Sequence, residues 1–121
     1  IAAWWDDLIV DGAAMPVPSV TSTLTGSAPN RTRIITYHNV PHFSYGPTDP
    51  RITMEVRLHE TTGVIDVLYA PLTNPNGPTT NWSASTGWES SSGTRGTDAL
   101  GCGATCAIVN WPTNARVTYT P

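Results

Sequence analysis

The sequence predicts an all-β fold, an antiparallel β-sandwich or jelly-roll-like domain with little or no helix, on three observations. No window sustains apolar residues at i, i+3, i+4 and i+7, and Pro or Gly interrupts most candidate helices. Runs of β-branched and aromatic residues with period-2 alternation recur along the chain, separated by turn residues. Composition agrees, because the 121 residues include 10 Gly and 11 Pro and only 12% are charged, about half the usual share of roughly 25%.

The opening "IAAWWDDLIV" reads as a strand that has already begun. Alternation places Trp4 and Asp6 on one face and Trp5 and Asp7 on the other. With almost no polar relief before Asp6, the pattern is that of a strand covered on both sides, interior to a larger sheet, with both Trp and both Asp structural. Left bare, such an edge would template aggregation. Its partner is therefore expected in a preceding segment of a precursor or in another subunit. "PSVTSTLT" (18–25) and the strand at 31–40, with "RIITYHNV" at its heart, form the next pair across "GSAPN". "RITMEVRLHE" (51–60) alternates strictly, with Ile52, Met54, Val56 and Leu58 toward the core and Thr53, Glu55, Arg57 and His59 toward water. "GVIDVLYA" (63–70) follows a turn in which Gly63 can take positive φ, so these two strands pair antiparallel. The polar stretch between Pro71 and Gly101 holds one further strand in "SASTGWES", and "ARVTYT" (115–120) is the last. A connection that long is usually functional or a cover.

Length bounds the chain at one domain, 1–121, expected to lack N-terminal strands that belong to a precursor or a partner subunit. The formal charge is −3, the isoelectric point is about 5.4, and all six cations are Arg. No basic run exists to neutralise phosphates, which argues against nucleic acid as a partner. No apolar stretch approaches the roughly 20 residues that span a bilayer as a helix.

Cys102 and Cys106 stand in "GCGATC". A C-x3-C pair in a reducing compartment suggests redox or metal chemistry, but a metal would need further ligands, and no His lies near in sequence. A local disulfide pinning a glycine-rich loop is the better reading, and it implies an oxidising compartment.

Taken in order, "IAAWWDDL", "ITYHNVPHF", "ITMEVRLHETTGVIDVLYA", "STGWESSSGTRGTDAL" and "ARVTYTP" resemble the second half of the nidogen-type β-domains of secreted bacterial surface proteins. Tyr37-His38-Asn39-Val40, the hairpin from Met54 to Tyr69, and Gly87-Trp88-Glu89 through Gly93 occupy that family's motif positions. These are motifs of fold and none is a catalytic signature. The resemblance implies a secreted, extracellular domain at a bacterial cell surface.

Four constellations bear on a functional site. Asp6 and Asp7 suit calcium, which accepts 6–8 oxygen ligands in forgiving geometry; as neighbours on a strand they cannot form a close acid/base pair, which would need a carboxylate such as Glu55 or Asp66 from elsewhere. His38, His42 and His59 invite a metal, but in an extended segment through Val40-Pro41 the first two do not converge. Serine nucleophile signatures are missing, so no enzyme is expected. Trp82, Trp88 and Trp111, in "NWS", "GWE" and "NWP", are candidate glycan-binding residues; the competing role is to cover the open ends of a sandwich. The resulting expectation is a non-enzymatic structural or adhesive module, self-associating through strand complementation. The alternative is a glycan- or calcium-binding module of a larger secreted protein.

Overall fold

A computed structural model describes residues 1–10, 17–43, 46, 49–72, 84–98 and 114–121. Among these, eight strands and no helix are present: β1 (Ala2–Trp5), β2 (Ser19–Thr25), β3 (Thr32–Pro41), β4 (Arg51–His59), β5 (Ile65–Tyr69), β6 (Ser85–Glu89), β7 (Gly96–Asp98) and β8 (Ala115–Tyr119). They form two antiparallel sheets, one ordered β1-β6-β7 and the other β2-β3-β4-β5-β8. The all-β, sandwich-like expectation therefore holds, as do the 18–25/31–40 and 51–60/63–70 pairings. Gly63 takes φ +66° in the β4–β5 turn, where its N–H donates to the His59 carbonyl (3.0 Å).

A bulge tunes β3. The register shifts between Tyr37 and Val40, and Asn39 sits at φ 51°, a left-handed conformation that Asn tolerates better than most residues. Its N–H donates to Thr53 Oγ1 (3.1 Å). The extra residue lets Val40 as well as Tyr37 turn inward, Val40 being fully buried and Tyr37 packed against the core.

The core lies between the two sheets. Ile52 and Met54 of β4, Val67 and Tyr69 of β5, and the neighbouring Leu72 meet Trp4 of β1 and Ala84, with Val56, Ala115, Val117 and Tyr119 packed around them. The Tyr69 hydroxyl crosses to the other sheet and donates to the Ala3 carbonyl (2.7 Å). Burial raises its pKa above the ordinary phenol value, with the neighbouring Tyr119 adding to the effect. Coverage fades along β4: Ile52 and Met54 are buried, Val56 is half-buried and Leu58 is exposed, as are Val20 and Leu24 on β2. Strict alternation in β4 correctly assigns its two faces, but it carries no signal of how far along the strand the cover extends.

The first strand finds a partner inside this chain. β1 pairs with β6, through Ala2↔Gly87 and Trp5↔Ser85 with an irregular register between them, and stands at the end of its sheet among the described residues. Beyond it the chain turns along the end of β3, where the Phe43 N–H donates to the Asp7 carbonyl (2.8 Å) and the Ile9 N–H to that of Pro41 (3.1 Å). Trp4 enters the core as expected. Trp5 does not: it is 73% exposed, because the side of β1 opposite Trp4 has no described layer upon it.

Candidate functional site

The exposed Trp5 opens onto a groove of about 540 Å³ along the three-stranded sheet, lined also by Ile1, Thr86, Trp88, Glu89, Thr94 and Arg95. Trp88, 40% exposed, walls this groove and also a second cleft, which it shares with Ile65, Tyr119 and Pro121. By alternation along β6 Trp5 shares the face of Ser85 and Glu89, and Trp88 that of the buried Thr86, so the two indoles border the groove from opposite faces of the sheet.

The turn from β6 to β7, "SSSGTR", is built to hold this arrangement. Gly93 adopts φ +69°, where L side chains are strained, and a Cβ there would lie 3.3 Å from Glu89 Oε1. Ser90 and Arg95 close the turn, the Ser90 N–H donating to the Arg95 carbonyl (2.7 Å) and the Arg95 N–H to Ser90 Oγ (3.2 Å). A chain of hydroxyls runs outward from it: Ser90 Oγ to Ser92 Oγ at 3.1 Å, and Ser92 Oγ to Thr94 Oγ1 at 2.8 Å. Gly96 allows β7 to approach β6, since a Cβ at this position would stand 2.9 Å from the Trp88 carbonyl oxygen.

A second polar constellation lies on the far face of the five-stranded sheet. Asp66, with a side chain only 2% exposed, accepts from Arg116 through Nε (2.8 Å) and Nη2 (2.6 Å), from Thr118 Oγ1 (2.7 Å), and pairs with His59 Nε2 (2.9 Å). Register makes this possible, because Asp66 faces Thr118 on β8 and Arg57 on β4. The Arg116 hydrogen bond foremost, with those from Thr118 and His59, holds the Asp66 carboxyl far below the usual range against the opposing effect of burial. Thr32 Oγ1 lies 3.3 Å from His59 Nδ1, completing a hydroxyl–imidazole–carboxylate row. Arg116 matches the negative charge of Asp66, Nη2 to Oδ2 at 2.6 Å. The row acts as a clasp across β3, β4, β5 and β8. Nearby, Glu60 is lowered to about 2, chiefly by its hydrogen bond from Arg31, whose Nε donates to Glu60 Oε2 at 2.8 Å.

Asp6 lies against His42, Oδ1 to Nε2 at 3.4 Å, and accepts the Asp7 N–H (2.9 Å); the Asp7 side chain is exposed. His38, His42 and His59 go to separate neighbours, Asn39, Asp6 and Asp66. Among the described residues no three His, Cys, Asp or Glu gather into a group that could hold a metal ion. Of the candidate Trp residues only Trp88 is described; Trp82 and Trp111 lie outside the described residues, as do Cys102 and Cys106 with their expected disulfide. Sequence reasoning missed Trp5, Glu89 and Arg95 as groove residues. The available signal was the run of turn residues after Trp88, which marks Glu89 and Arg95 as the two ends of one hairpin.

Comparison with protein families matches residues 1–120 to the family described as NIDO related, the nidogen-related domains. No curated protein and no solved structure matches the chain.

Proposed function

The chain belongs to the nidogen-related family, an extracellular structural type of domain, and on that premise we propose that it is an adhesive module that grips carbohydrate in the Trp5–Trp88 groove. The observation that carries this reading is the exposure of both indoles at the border of one groove with Glu89, Thr94 and Arg95. A pyranose presents an apolar face of C–H groups ringed by hydroxyls. The indoles supply a flat apolar counterpart, while carboxylate and guanidinium make charge-assisted hydrogen bonds at the rim. A few polar groups converging on an apolar concave surface is the usual make-up of a small-ligand site. Display at a bacterial cell surface, with Cys102 and Cys106 joined in an oxidising compartment, belongs to the same reading and is supported by the motifs that resemble such domains.

A glycan array followed by titration tests it. A binding oligosaccharide should shift or quench Trp emission saturably, and Trp5→Ala and Trp88→Ala should each weaken binding by roughly tenfold or more, about 1.4 kcal/mol. Trp5→Ala should leave the melting temperature nearly unchanged, because the side chain is already exposed. Trp4→Ala is the structural control and should cost roughly 3–5 kcal/mol of stability. An array with no binder, or binding indifferent to both groove substitutions, refutes the reading.

A further inference from the structure

Strand β2 is the longest open edge among the described residues. The sheet order leaves β2 and β8 at the ends of one sheet and β1 and β7 at the ends of the other. Three of these edges are poor templates. β1 has four residues and a broken register, β7 has three residues, and β8 has five, carrying Arg116. β2 pairs with β3 in unbroken register over all seven of its residues and bears none of the usual edge protection, having no charge, no proline and no bulge. Alternate residues turn their N–H and C=O groups away from β3.

Its sequence, Ser-Val-Thr-Ser-Thr-Leu-Thr, reads nearly the same in both directions about Ser22. We propose that β2 pairs antiparallel with β2 of a second copy of this chain, on a two-fold axis through Ser22, to make one continuous sheet. In that register Thr21 faces the partner's Thr23 on the outer side, and Val20 faces the partner's Leu24 on the inner side. Ser19 meets the partner's Thr25. The pairing joins hydroxyl to hydroxyl and apolar to apolar, the combinations that stabilise cross-strand neighbours. Val20 and Leu24, 43% and 46% exposed, gain cover from each other across the axis. A slip of one residue would turn the second copy's apolar side to the opposite face, and a slip of two would set Val20 against Ser22. Pro18, which has no N–H, and Gly26, at φ +79°, end the ladder on each side. The interface is isologous and therefore closes as a dimer. Arg33 Nη1 donates to Ser22 Oγ (3.4 Å), so two guanidiniums approach the axis, and moderate salt, which screens them, is the favourable condition. This dimer does not depend on the groove's ligand.

Sedimentation equilibrium from micromolar to millimolar concentration tests the proposal. The wild-type chain should pass from monomer to dimer and stop there. Thr21→Lys/Thr23→Lys sets like charges opposite each other twice and should weaken association by roughly tenfold or more. Thr21→Lys/Thr23→Glu sets opposite charges in both places and should restore it. All of these side chains are exposed, and circular dichroism checks that each variant folds. A wild type that remains monomeric, assemblies larger than a dimer, or two double variants that associate equally overturn the proposed pairing.

Discussion

Asp66 shows what a single residue contributes. Its carboxylate is removed from water yet takes hydrogen bonds from Arg116, Thr118 and His59, so its desolvation is compensated by contacts from two other strands. Because its folded pKa lies below the unfolded value, its contribution is fully present above about pH 4, the unfolded Asp range, and is lost as pH falls through the lower folded value. Glu60, lowered to about 2, adds to the trend with the same sign. Thermal melts from pH 7 down to pH 2 should therefore be flat at first and then fall steeply below about pH 4. Asp66→Asn should lower stability at pH 7 by roughly 2–3 kcal/mol and flatten the acid limb. An acid limb unchanged by the substitution would mean that other carboxylates set it. None of this was legible in the sequence. Asp66 and Arg116 are 50 residues apart, and alternation along β5 says only that Asp66 points away from Val67.

At the scale of elements, the strands that announce themselves are those whose two faces differ. Alternation in β4, the Gly63 turn and the β-branched run of β3 located three consecutive strands, and "SASTGWES" located β6. Trp4 and Trp5 are both large and apolar, so the N-terminal sequence predicts a strand covered on both sides. Alternation separates their faces, but it is the 73% exposure of Trp5 among the described residues that shows which is wet. The β6–β7 hairpin shows the same limit from the other direction: its turn residues are visible in sequence, whereas the groove they frame depends on β1 lying alongside. Gly96→Ala tests that frame. The added Cβ would press on the Trp88 carbonyl at 2.9 Å, forcing β7 away from β6 at a cost of about 1–3 kcal/mol. Glycan binding should drop while the five-stranded sheet, and with it the Asp66 acid limb, remains. If binding survives, β7 does not position Trp88.

Across the whole molecule, the two sheets divide the labour. The core concentrates where β4, β5 and β8 meet Trp4 and Ala84, the indole groove lies along β1-β6-β7, and the uncharged edge is the outermost strand of the other sheet, at its opposite end from β8. Pairing through β2 therefore leaves both grooves unused by the interface, and a dimer carries two of them. On a dense glycan surface the second contact is intramolecular, so avidity can exceed single-site affinity by about 10²–10⁴ without any new contact. The variant Thr21→Lys/Thr23→Lys should then bind a soluble oligosaccharide as well as wild type does and a dense glycan surface far more weakly. Trp5→Ala should lose binding in both formats. Surface plasmon resonance at high and low glycan density distinguishes the cases. If the charge-repelled variant keeps its full avidity at high density, the two grooves do not act together, and each domain adheres as a single contact.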